Sequence, residues 1–158
     1  MTNTEKIYKG LNRLSGNRPM MEAADGKGDD YSTLKELAMF LLAEADVLHV
    51  FHWNADTNSH HELLGEAYDL YRDTADKLGE TYVVKAGKSV IPESVPTPTA
   101  KTWDPDPDEV LSRLKEVLDN MNSAVEKNPK FTEGVKNIFA DFDEKMTTII
   151  YKFSRFPS

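Results

Sequence analysis

The sequence predicts an all-α fold, a four-helix bundle in which a long crossover joins the second and third helices. Three observations predict it. Four segments repeat apolar residues at three- and four-residue steps, the period of an amphipathic helix. The turn between the first two segments is short, which makes them an antiparallel hairpin. Between the second and third segments, residues 83–105 carry Gly87, Pro92, Pro96, Pro98 and Pro105, which forbid a long helix there. Crossovers of that length occur in bundles where they join helices that run parallel. No β-hairpin signal and no internal repeat competes with this reading. The chain of 158 residues is one domain's worth, long enough to bury a core without disulfides or a structural metal.

Residues 1–30 read as a flexible N-terminal tail ahead of a bundle domain spanning 31–158. Glycines stand at positions 10, 16, 26 and 28, Asp29-Asp30 closes the stretch, and one or two helical turns are expected near Ile7–Leu14. The first main helix is expected over about 32–54. Thr33 with Glu36 forms a capping-box signal, and Leu34, Leu37, Ala38, Leu41, Ala45, Leu48 and His52 make the stripe. Asn54 to Ser59 is turn chemistry. Ser59 with Glu62 is a second capping box, opening a helix over about 60–82 with Leu64, Ala67, Tyr68, Tyr71, Ala75, Leu78 and Tyr82 on one face. The third helix begins near Asp106-Pro107-Asp108-Glu109, where a proline in the first turn and neighbouring acids suit a helix start, and Asn128-Pro129 ends it. Val110, Leu114, Val117, Leu118, Met121 and Val125 are its stripe. The fourth, about 132–154, carries Val135, Ile138, Phe139, Phe142, Met146, Ile149, Ile150 and Phe153.

Composition narrows the functions. The chain has no cysteine, so thiolate metal sites, disulfide scaffolds and cysteine nucleophiles are excluded. No apolar run reaches the roughly 20 residues that span a bilayer. The first ten residues show no apolar segment of a secretory leader, and a cytoplasmic location is expected. Net charge is −8. Residues 1–20 hold Lys6, Lys9, Arg13 and Arg18 against Glu5, a net +3, which leaves −11 for the rest. An acidic body suits cation uptake, and a +3 arm predicts weak duplex DNA binding at best.

The chemistry concentrates at the first turn. All four histidines, His49, His52, His60 and His61, straddle it. Each read singly is a helix-end or turn residue; together they make a candidate metal centre, because imidazole is the commonest side-chain metal ligand. Asp76 and Glu80 lie four apart on one face of the second helix, where like charges repel unless Arg72 or a bound cation compensates. A solvated acidic face, continuing Glu62, Glu66, Asp69 and Asp73, is the competing reading. His61 and Asp76 are 15 residues apart, about 60° in rotation but about 22 Å along the axis. One chain cannot close both onto one ion. Two hairpins packed antiparallel about a two-fold axis can, bringing His52 and His61 of one to Asp76 and Glu80 of the other at two equal sites. A centre inside one bundle wants Glu-x-x-His on two helices. Asp46-x-x-His49 is the nearest match, and the third and fourth helices hold no histidine.

His52-Trp53-Asn54, His61-Glu62-Leu63, and then Asp76 and Glu80 at 15 and 19 residues beyond His61 resemble the Dps-type miniferritins of the ferritin-like superfamily. The pattern also looks like an uncharacterised ferritin-like group of tailed phages with the same shortened turn. The specific match covers residues 45–82, about a quarter of the chain. The resemblance implies a ferritin-like bundle and an inter-subunit site that binds, oxidises and sequesters iron(II). It also implies a homo-oligomer that closes into a larger shell and a location in the cytoplasm, the host's if the chain is phage-encoded. It assigns His52, His61, Asp76 and Glu80 as metal ligands; His49 and Glu62 are further candidates from their positions. Two departures stand out. The histidines are nine apart, closer than the family places them, and Gly65 stands where the family has an acid. Zinc or manganese would suit the same donors as iron. The competing function is a helical structural or interaction protein, with weak DNA binding at most, that keeps the fold with a degraded metal site. No P-loop, G-x-S-x-G or His-Glu-x-x-His motif supports hydrolytic catalysis.

Overall fold

The computed structural model describes residues 31–92 and 95–156; the expected tail over 1–30 lies outside them. The described chain is all-helical: α1 (Ser32–Trp53), α2 (Asn58–Ala86), α3 (Pro107–Lys127) and α4 (Glu133–Arg155), with no strand among the described residues. The helices share one core. Leu34, Leu37, Leu41 and Leu48 of α1, Leu64, Tyr71 and Leu78 of α2, Leu114 and Met121 of α3, and Phe142 and Met146 of α4 are fully enclosed.

Cross-helix contacts fix the directions. Asp46 meets Arg72 and His52 meets His61, so α1 and α2 are antiparallel. His60 meets Phe153 and Tyr71 meets Phe142, so α4 runs antiparallel to α2. Asn54 bonds Trp103 and Glu44 bonds Arg113, so α3 runs antiparallel to α1 and hence parallel to α2. That is the arrangement a long crossover serves, and the connection from Gly87 to Asp106 returns along the bundle to the first turn.

Two expected caps fall elsewhere. Tyr31 caps α1 without a side-chain bond, and Thr33, expected to cap, is buried inside the first turn. Thr57 rather than Ser59 caps α2: it has an extended backbone and its hydroxyl accepts from the His60 amide at 3.2 Å. Starting two residues earlier lets Asn58 donate to the Glu62 carboxylate at 2.9 Å, an i,i+4 pair. At its other end α2 runs four residues beyond the expected stop, because nothing in Val83-Val84-Lys85-Ala86 breaks a helix. Gly87 ends it at φ 63°, the left-handed conformation that glycine adopts without steric cost. α3 starts as expected, with Pro107 in the first turn and Asp106 accepting from the Glu109 amide at 2.9 Å.

Candidate functional site

The antiparallel hairpin sets His52, at the end of α1, directly against His61, at the start of α2. The two residues bond reciprocally. His52 Nδ1 lies 2.6 Å from the His61 carbonyl oxygen, and His61 Nδ1 lies 2.9 Å from the His52 carbonyl oxygen. A carbonyl only accepts, so each Nδ1 carries the hydrogen and Nε2 is the nitrogen left to each ring for a metal ion. Backbone bonds of this kind fix the tautomer of metal-ligating imidazoles. The rings stack face to face, 3.6 Å between centres and 26° between planes. With one centre over the other, planes so inclined meet about 8 Å from the rings, whereas a metal–imidazole bond puts the ion about 3 Å away. In this arrangement the two lone pairs cannot share one ion. His52 is half-buried and His61 exposed, so His61 is the ring with room to turn once its bond to the His52 carbonyl is given up.

His49 sits one turn back along α1, stacked on Tyr68 at 4.4 Å and against Trp53 at 4.7 Å. Arg72 donates toward its Nδ1 at 3.4 Å, pairs with Asp46 at 3.1 Å, and lies over the Tyr68 ring. The guanidinium therefore occupies the space between Asp46 and His49, the nearest match to an intra-bundle ligand pair, and both face outward. His60 is buried. Its ring stacks on Phe153 at 4.2 Å and its Nε2 donates to the Phe156 carbonyl at 3.1 Å, so it is a satisfied structural imidazole.

Asp76 and Glu80 are exposed at the far end of α2. Arg72, the sequence-level candidate to compensate Asp76, is taken by Asp46, and neither acid has an ion-pair partner among the described residues. Glu62 is exposed and held by Asn58. Gly65 faces the His52 ring: a Cβ there would lie 3.5 Å from Cε1 and 3.6 Å from Nδ1, ordinary contact. The place where the resemblance expects an acid is therefore beside the candidate ligand. Among the described residues of one chain, no group of three or more histidines and carboxylates gathers as a metal cage. The structure thus brings His52 and His61 together and leaves Asp76 and Glu80 at the opposite end of the same outer face.

Sequence reasoning missed a buried ion pair inside the bundle. Glu44 of α1 is buried and receives both Arg113 Nε at 2.7 Å and an Arg113 terminal nitrogen at 2.8 Å, a bidentate pair. The same terminal nitrogen donates to the Thr99 carbonyl at 2.8 Å, fastening the crossover to the bundle. Burial pushes the Glu44 carboxyl above its ordinary range, and Arg113 opposes that shift. Tyr71, fully enclosed nearby, is pushed well above the usual phenol range by burial, with Glu44 adding to it. A signal was present: Glu44 falls between Leu41 and Leu48 on the apolar stripe, and Arg113 between Val110 and Val117. An arginine fills the interior polar position, so the described bundle offers no intra-bundle cation centre.

No known family model, curated protein or solved structure matches the chain.

Proposed function

We propose that this is a metal-binding protein of ferritin-like design. Two copies pair through the outer face of α1 and α2 and bind a divalent transition metal, iron(II) foremost, between His61 and His52 of one copy and Asp76 and Glu80 of the other. The observation that carries this reading is the pairing of incomplete halves. At one end of the face two imidazoles have tautomers fixed with Nε2 open; about 22 Å away along α2 two exposed carboxylates have no cation partner among the described residues. An antiparallel two-fold superimposes the halves, and one operator generates two equal sites. In this proposal His61 gives up its bond to the His52 carbonyl and turns out of the stack to admit the ion, while His52 keeps its tautomer. Oxidation of bound iron(II), sequestration of the product and closure into a larger shell extend the same reading. No helix among the described residues is long and apolar enough to cross a membrane. DNA is a poor ligand under this proposal, since only the +3 arm opposes an acidic body.

A second reading has its own support. Gly65 withholds an acid beside His52, and the stacked rings point away from a shared ion. Both features fit a helical structural or interaction protein with a degraded site. Titration of the full chain with iron(II) and zinc(II), followed by calorimetry and mass in solution, separates the two. The metal reading expects one ion per chain together with a dimer or larger assembly; absence of saturable binding selects the structural reading.

A further inference from the structure

The outward face of α2 has a feature that metal binding does not absorb. Glu66, Asp69, Asp73, Asp76 and Glu80 fall within an arc of about 80° at 100° per residue, all exposed. Among the described residues none has an ion-pair partner, and two cations of α2 itself are engaged elsewhere: Arg72 with Asp46 and Lys77 with Asp141. The stripe runs about 21 Å and leads into Val83 and Val84, which are 43% and 78% exposed. An acidic helix face alone is an ordinary solvated surface. Here it continues into exposed valines, and the chain supplies a segment of matching chemistry. Residues 1–20 carry Lys6, Lys9, Arg13 and Arg18 against one acid, with Ile7, Leu11 and Leu14 interleaved at helical steps.

The attachment point fits. The chain enters α1 beside the end of α2, since the Lys35 ammonium lies 5.7 Å from the centre of the Tyr82 ring. The nineteen residues from Arg13 to Ser32 can span up to about 60 Å when extended, more than enough to lay the basic residues along the stripe. We propose that the basic arm, residues 1–20, docks on the outward face of α2 of its own chain, with its cations on the carboxylate stripe and its apolar residues toward Val83 and Val84. This inference does not rest on metal binding. It does mean that the arm and a second copy compete for Asp76 and Glu80.

Zero-length carbodiimide cross-linking of the full chain tests it, read by peptide mass spectrometry on an equal mixture of normal and nitrogen-15 protein. The expected products join Lys6 or Lys9 to Asp69, Asp73, Asp76 or Glu80 within chains of one isotope. Their yield should exceed by several-fold that to Asp119 and Glu126, exposed acids of α3. Arg13→Glu with Arg18→Glu, which spares both lysines, should reduce that yield several-fold at wild-type helicity, as should about 0.5 M salt. Equal yields on α2 and α3, yields indifferent to the charge reversals, or cross-links of hybrid mass would each overturn the proposal.

Discussion

The α1–α2 hairpin carries polar groups on both faces, and the two faces treat them oppositely. Inside, Glu44 is buried and saturated by Arg113, which also holds the crossover at Thr99. Outside, among the described residues, two imidazoles keep open nitrogens and two carboxylates lack cations. A buried charge must be paired within the chain or it costs several kcal/mol. An exposed one can wait, because water solvates it at little cost. The inner pair therefore reports on folding, and the outer groups are the ones available to a ligand or a second copy.

The largest way to break this contrast is Arg113→Ala, which strands a buried carboxylate. It should cost about 3–5 kcal/mol by urea unfolding at neutral pH. Replacing both partners, Glu44→Leu with Arg113→Met, should recover most of that loss. The cost should also depend on pH. A carboxyl whose folded-state pKa lies above its unfolded value favours the folded state at low pH, and that contribution is lost as pH rises through the folded value. Removing Arg113 raises the folded value further, so the variant should be relatively less destabilised near pH 4.5 than at pH 7.5. Equal losses at both would mean that Glu44 does not titrate as the buried partner.

On the outer face Gly65→Asp sharpens the contrast. The new side chain starts at ordinary contact with His52 and places a carboxylate beside it. Metal binding should tighten about tenfold, roughly 1.4 kcal/mol, in a calorimetric titration; weaker binding would show that the swing of His61 needs the space that glycine leaves. The smallest effect is expected at Gly79, in mid-helix with nothing within 4 Å of a built Cβ. Gly79→Ala should stabilise the chain by about 0.5–1 kcal/mol. Gly79 lies on the face proposed to pair, so a destabilised variant would mean that the second copy packs directly on that position, leaving no room for a methyl group.

Much of the fold was legible because periodic stripes and breakers are local. Leu34 through Leu48, the prolines of the crossover and Pro107 place the helices to within a few residues. The caps of α1 and α2 were not, since Thr33, Thr57 and Ser59 are equivalent acceptors until the chain path selects one, whereas the Asp106-Pro107 start of α3 was. The Glu44–Arg113 pair was hidden for a different reason: two charged residues on separate stripes declare a partnership only once α1 and α3 are side by side. At the candidate site the clustering of His52 and His61 was readable, and their contact followed from the short turn. Their face-to-face stacking was not, because ring orientation is set by the reciprocal backbone bonds. The competition of Asp46 for Arg72 was likewise a tertiary outcome.

Complementation between two defective chains tests the central claim most directly. His61→Ala and Asp76→Ala remove groups about 22 Å apart in one chain. Both are exposed, so each should change stability by less than about 1 kcal/mol. Each variant alone should lose stoichiometric iron(II) or zinc(II) binding. Refolded together and purified as a heterodimer, they should regain one competent site of the two, because one interface keeps an intact imidazole half from one chain and an intact carboxylate half from the other. Undiminished binding in both single variants would contradict the ligand assignment, and loss in both without recovery in a verified heterodimer would contradict the two-fold geometry.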